Sequence, residues 1–149
     1  MLHRHPSPLV AHGRARRAVI ALLLAVGALL VTSSAFAGTY MDRAALLISQ
    51  ADREMSFLKK RLSDRELAHV VHEMASARLD AASTMEVPKE VRQAHPHVLL
   101  VLENYERAAN FAAEGDRARF FVYLRRAQKE ESIMRGIFKE LGWPLPKVP

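Results

Sequence analysis

Along four segments of this chain, apolar residues recur at intervals of three and four positions, the spacing of one face of an α-helix. The first segment runs from Tyr40 to Leu62, and its stripe contains Ala44, Leu47, Ala51, Met55, Leu58 and Leu62. The second stripe contains Leu67, Val70, Val71, Met74, Ala77 and Ala81. Nothing after residue 37 alternates with the period of two that a half-buried strand requires, so the sequence predicts helices alone.

The third and fourth segments follow the same spacing. The third keeps its phase across Pro96, with Val91, Val98, Leu102, Tyr105 and Ala109 on one side. A proline inside a helix removes a backbone hydrogen bond, so we expect a short helical piece at 88–94 and a main helix from Pro96 onward. The fourth segment runs from Arg117 to Leu141, and its stripe contains Phe120, Tyr123, Leu124, Ala127, Met134, Phe138 and Leu141.

The residues between these segments are typical of helix ends. Ser63 and Glu66 have the spacing of a capping box, which predicts that a second helix starts there rather than one long helix continuing. Gly115 suits the end of the third helix, and Asp116 suits the N-cap of the fourth. Four amphipathic helices joined by short turns predict an all-α, up-and-down four-helix bundle over residues 38–142.

The two ends of the chain differ in composition from these segments. Residues 1–37 combine a basic start, an uncharged apolar run over 18–31 and an Ala35-Phe-Ala37 end, which is the pattern of a cleavable signal peptide. The apolar run is shorter than the about 20 residues that span a bilayer as a helix, so we expect no stable membrane span after cleavage. The predicted location is the periplasm or the extracellular space. Three prolines in residues 143–149 predict an extended tail.

Charge and cysteine content exclude several kinds of chemistry. Four of the 22 basic residues and none of the 16 acidic residues lie in residues 1–37, so removal of the leader lowers the net charge from +6 to +2. The remaining charges are interspersed, and we therefore expect no nucleic-acid partner. The chain has no cysteine, which excludes disulfides, thiol catalysis and thiolate metal sites.

Histidine and glutamate side chains offer a weak metal-binding pattern. The candidate ligands are His69, His72, Glu73, His95 and His97. His69 and Glu73 are one helical turn apart, and His95 and His97 flank Pro96 at a helix start, positions from which imidazole and carboxylate groups bind Zn or Cu. Neither set has the four ligands of a structural zinc site. A divalent transition metal is therefore the alternative cofactor, and the primary expectation is no cofactor.

Three glutamates lie on the flanks of their apolar stripes: Glu54, Glu106 and Glu131. We expect these carboxylates to pair with arginines at the seams between helices, as residues that flank a helix interface commonly do. The arginines considered as partners are Arg61, Arg107 and Arg135. An inward carboxylate cluster that binds a cation is the alternative.

Two pairs of apolar residues lie away from the main stripes. Leu46 and Phe57 share one side of the first helix, and Leu100 and Phe111 share one side of the third. They are candidates for a contact surface with a second copy or another protein. The alternative is that the third helix lies at the centre and buries both of its faces.

No catalytic motif is present, since the sequence has no serine elbow, glycine-rich phosphate loop or HExxH pattern. We therefore expect an exported, small helical-bundle protein that acts by protein–protein binding in the cell envelope, and not an enzyme. The alternative function is a periplasmic helical metal-binding protein that uses histidine and glutamate ligands.

Overall fold

The computed structural model describes residues 37–146, which are all-helical, as predicted, and contain no strand. Helix α1 occupies residues 37–59. The other elements are α2 (Arg65–Ser83), a 3₁₀ turn (Lys89–Val91), α3 (His95–Glu114) and α4 (Arg117–Glu140). The predicted leader, apart from its last residue, and residues 147–149 of the predicted tail lie outside the described residues. The four helices are consistent with a helical bundle.

The break between α1 and α2 is confirmed, but its cap is one residue away from the predicted position. Residues 60–63 form a turn, and Asp64 is the N-cap of α2, with its Oδ1 atom accepting a 3.0 Å hydrogen bond from the Leu67 amide. The prediction of Ser63 as the cap is therefore wrong. A carboxylate at this position satisfies an orphan amide and interacts favourably with the positive end of the helix dipole.

A two-residue link joins α3 to α4. Gly115 adopts a left-handed conformation, with φ of 82°, and the Asp116 amide donates to the Phe111 carbonyl at 2.8 Å. The Asp116 carboxylate then caps α4 by accepting from the Arg119 amide at 2.9 Å. The predicted roles of Gly115 and Asp116 are confirmed, because glycine ends one helix without a Cβ penalty and aspartate starts the next.

We expect opposite effects from alanine at two glycines. Gly115→Ala should lower the free energy of unfolding by about 1–2 kcal/mol, because a side chain at positive φ is strained, and its Cβ would lie 2.7 Å from Nη2 of Arg65. Gly136→Ala should raise it by about 0.5–1 kcal/mol, because this position lies inside α4 and a Cβ there meets nothing within 4 Å. Urea unfolding of both variants measures the difference, and shifts of the same sign would contradict it.

The core is built around α3. This helix packs against both α2 and α4, and nine of its residues are buried: Val98, Val101, Leu102, Asn104, Tyr105, Ala108, Ala109, Ala112 and Ala113. Helix α1 adds Ile48, Met55 and Leu58 to the same core. The central position of α3, considered above as an alternative, is therefore observed, although α3 also leaves Leu100 exposed.

The predicted buried face of α2 is wrong by about one residue position. The residues that α2 buries are Ala68, Val71, Ala75, Arg78 and Ala82, whereas Val70 and Met74 are 53% and 46% exposed. The apolar stripe was misplaced because a charged residue, Arg78, lies on the true core-facing side, where Glu54 of α1 pairs with it. A search for the helical spacing of apolar residues cannot identify an arginine as buried.

The C-terminal end of α4 is followed by a segment that packs on the core. Gly142 has a φ of 80°, and the Trp143 amide donates to the Phe138 carbonyl at 2.9 Å, which ends the helix as predicted. Residues 143–146 are neither helix nor strand, and Trp143 and Leu145 lie half-buried against the core. None of the helices within residues 37–146 is long and apolar enough to cross a membrane.

Candidate functional site

The structure places two of the candidate metal ligands on the outside of α2. His69 and Glu73 are both exposed. His72, one position before Glu73, lies at the seam with α3 instead, where its Nε2 atom is 2.7 Å from Oε1 of Glu106. His72 therefore serves a contact between two helices, and it does not converge with His69.

The other two candidates, His95 and His97, point to different helices. Nδ1 of His95 lies 2.9 Å from the Tyr40 hydroxyl of α1. Nδ1 of His97 lies 2.5 Å from Oε1 of Glu130 of α4. The five predicted ligands are thus not brought together. Within residues 37–146, no group of three or more histidine, aspartate or glutamate side chains is placed to hold a metal ion.

Burial determines the protonation of the Tyr40–His95 pair. It raises the pKa of Tyr40 to about 12 and lowers the pKa of His95 below its usual value. The tyrosine therefore stays protonated, and its hydroxyl shares a hydrogen bond with the neutral imidazole of His95. The Tyr40 ring also contacts Phe138 of α4, with ring centroids 6.5 Å apart, so this pair connects three helices.

A second buried tyrosine lies between two carboxylates. The Tyr105 hydroxyl is 3.2 Å from Oδ1 of Asp52 of α1 and 3.2 Å from Oε2 of Glu131 of α4. Burial first, and then the charges of Glu131 and Asp52, raise the pKa of Tyr105 far above its usual value. One proton is shared between two acceptors from two helices, an arrangement that the sequence analysis did not identify.

The three flanking glutamates all have partners, but none pairs with a predicted arginine across a seam between helices. Glu131 pairs with Arg135 at 2.7 Å. Glu106 pairs with His72, and Glu54 pairs with Arg78 at 2.5 Å. The Arg78 side chain is only 6% exposed, and Oε2 of Glu54 and Nη1 of Arg78 are buried without a hydrogen bond within the described residues.

Two of the four contact-surface candidates, Leu46 and Leu100, line different grooves. Leu46 lines a small apolar pocket of about 210 Å³ together with Leu47 of α1 and Met85. Leu46, Phe57 and Leu100 are 45%, 47% and 41% exposed, in agreement with the sequence analysis. Phe111 is half-buried, because its ring stacks on Tyr123 of α4 with centroids 5.2 Å apart.

The larger groove, of about 490 Å³, lies between α3 and α4 and is called the α3–α4 groove below. Leu100 of α3 and Ile133 of α4 line one end, and both are exposed. Arg107 of α3 with Tyr123 and Arg126 of α4 lines the other end. Ile133, Arg126 and Lys129 were not singled out by the sequence analysis, and Arg107 was considered there only as a partner of the flanking glutamates.

Arginines stack on aromatic rings at the basic end of the groove and directly beside it. The guanidinium of Arg119 lies 4.5 Å from the Phe111 ring centroid, and that of Arg126 lies 4.9 Å from the Tyr123 centroid. Arg107 contacts the same Tyr123 ring at 5.7 Å. Each contact combines cation–π attraction with apolar packing of the guanidinium plane. These side chains are held in place while their charge remains at the surface.

Comparison with protein-family models, with curated proteins and with solved structures gives no match to the chain.

Proposed function

We propose that this chain is an exported up-and-down four-helix bundle that acts by binding another protein in the cell envelope. The observation that carries the binding proposal is the α3–α4 groove, in which Leu100 and Ile133 stay exposed although the domain has a well-packed core. Exposed apolar residues grouped in a groove are typical of protein-binding surfaces. The export proposal depends on the leader pattern of residues 1–37.

The proposed topology is supported by pairs of contacting residues. His72 contacts Glu106, and Arg78 contacts Glu54, as expected if neighbouring helices run in opposite directions. Phe111 of α3 stacks on Tyr123 of α4 across the short link, which fits the same alternation. Short connections between antiparallel neighbours are the mark of an up-and-down bundle.

A groove between two antiparallel helices fits a helical segment of a partner. Helix-in-groove recognition uses apolar side chains at one-turn and two-turn spacing as anchors. Leu100 and Ile133 would receive such an anchor at one end of the groove. Apolar anchors near the centre of an interface contribute most of the binding free energy, so their removal is a direct test.

Leu100→Ser combined with Ile133→Ser should abolish capture of the partner from envelope extracts while leaving the melting temperature within a few degrees of the wild type. The reason is that exposed substitutions cost little stability, whereas loss of interface anchors costs binding. Capture by the affinity-tagged full chain is compared with the matched variant Val70→Ser with Met74→Ser, which removes two exposed apolar residues from α2.

A third variant, Leu46→Ser with Phe57→Ser, tests the α1 candidates in the same assay. Loss of capture by this variant alone would place the interface on α1. A wild-type mass of two chains by light scattering, lost in one of the variants, would identify the partner as a second copy. Equal capture by all variants would contradict the proposed function.

A further inference from the structure

The two ends of the α3–α4 groove differ in chemistry. On α3, Leu100 and Arg107 are seven positions apart, and on α4 the same spacing separates Arg126 from Ile133. Seven positions correspond to about two helical turns, or about 10 Å along the axis, so each pair lies on one face. Leu100 and Ile133 therefore lie together at one end of the groove. Arg107 and Arg126 lie together beside Tyr123 at the other end.

The basic residues of the groove differ in whether they form ion pairs. Arg107 pairs with Glu103, and Glu130 pairs with His97. Within residues 37–146, Arg126 and Lys129 form no ion pair with a carboxylate. Both face the groove without an ion-pair partner among the described residues, and with Arg107 they give the groove three cations against two carboxylates, Glu103 and Glu130.

Stacking prepares Arg126 for a negatively charged ligand. A guanidinium that lies over an aromatic ring keeps its in-plane N–H groups available, and those groups match the two oxygens of a carboxylate. Because Tyr123 already restricts the Arg126 side chain, less conformational entropy is lost when a ligand binds. Lys129, one turn along α4, adds a second cation on the same side.

We propose that the α3–α4 groove binds an acidic, amphipathic helical segment of the partner protein, with an apolar side chain between Leu100 and Ile133 and a carboxylate on Arg126 and Lys129. This inference rests on the proposed function and specifies the chemistry of its partner. Charge complementarity supports it, since the groove has an excess of positive charge, with Lys129 about one turn and Arg126 about two turns from Ile133 at the apolar anchor site.

The acidic residues of the groove favour a peptide ligand over a nucleic acid. Glu103 and Glu130 line the same groove and would repel a continuous phosphate backbone. The apolar end also offers nothing that a phosphate chain uses. A peptide with carboxylates at separate positions satisfies Arg126 and Lys129 and still avoids both glutamates.

Selection of random-sequence peptides displayed on phage tests the proposal with the full chain as the target. Peptides that bind the wild type but not the Leu100→Ser/Ile133→Ser variant are sequenced. We expect them to be enriched in Asp and Glu at one to two helical turns from an apolar residue. Selection on Arg126→Gln with Lys129→Gln should lose this acidic enrichment.

The affinity of one selected peptide, measured by fluorescence anisotropy, should fall about tenfold in the Arg126→Gln/Lys129→Gln variant, since two charge contacts of moderate strength are lost. Lys59→Gln with Lys60→Gln removes two exposed cations elsewhere and should leave the affinity unchanged. Groove-dependent peptides without acidic enrichment would overturn this inference and leave the proposed function standing.

Two further outcomes would overturn the inference. If no peptide depends on Leu100 and Ile133, the groove is not a protein-binding site, and the proposed function loses the observation that carries it. If a single-stranded DNA oligonucleotide binds and loses affinity in the Arg126→Gln/Lys129→Gln variant as strongly as the peptide does, the groove is a general polyanion site.

Discussion

Replacing Glu54 by alanine should lower the free energy of unfolding by about 3–5 kcal/mol, the cost of leaving a buried charge without its partner. Arg78 is almost fully buried in the face of α2 that meets α1, and its contact with Glu54 is its one ion pair within residues 37–146. Urea unfolding of Glu54→Ala against the wild type measures the loss. The melting temperature should fall by several degrees at least.

The double variant Glu54→Leu with Arg78→Met should restore the stability or exceed that of the wild type, because an apolar pair avoids the desolvation cost of two charges. One oxygen of Glu54 and one nitrogen of Arg78 have no hydrogen-bond partner among residues 37–146, which makes the native pair a costly one. Glu103→Ala, which removes the exposed partner of Arg107, serves as the control and should cost less than about 1 kcal/mol. Equal losses for Glu54→Ala and Glu103→Ala would show that water reaches Arg78.

Stability should also fall steeply in alkali. Tyr40 and Tyr105 both have a pKa that burial raises above the ordinary value of 10.0, to about 12 for Tyr40. The folded state therefore favours the protonated phenols, and their contribution is complete below pH 10 and is lost as the pH rises through the folded-state pKa. Each tyrosine should lower the free energy of unfolding by about 1.4 kcal/mol per pH unit in this range.

The Tyr40→Phe variant isolates one of the two contributions. Between pH 10 and pH 12, its free energy of unfolding should fall about half as steeply with pH as that of the wild type, since only Tyr105 still resists ionisation. Urea unfolding at several pH values, followed by circular dichroism, gives both slopes. Identical slopes would mean that Tyr40 ionises equally easily in the folded and unfolded chain.

The helix ends were predictable because they depend on local chemistry. Gly115, Asp116 and Pro96 act on the backbone within a few residues of themselves, and the structure has helix ends within one residue of each. The buried face of α2 was not predictable in the same way. Arg78 enters the core only because Glu54, 24 positions earlier, meets it there, and single-segment periodicity contains no such information.

The candidate site was likewise predictable where it depends on one helix and not where it depends on contacts between helices. The exposure of Leu46, Phe57 and Leu100 followed from their angle to each apolar stripe. The partner of His97 did not, because Glu130 lies 33 positions away on another helix. One signal for the groove was present in the sequence, since residues 117–129 contain five basic residues and no acidic one. Ile133 gave no signal, because a lone exposed apolar residue is ordinary.

The two-residue link at Gly115 and Asp116 has a consequence for how this chain tolerates change. Both walls of the α3–α4 groove belong to one helical hairpin. The rotation of α4 about its axis relative to α3, which decides whether Leu100 and Arg126 face the same groove, is therefore set by that turn. An inserted residue there would disrupt the phase between the two walls, because each position turns a helix by about 100°. The longer connection over residues 84–94 carries no such constraint. Length variation in that connection leaves the groove unchanged as long as Val91 and Ala94 keep their buried positions in the core.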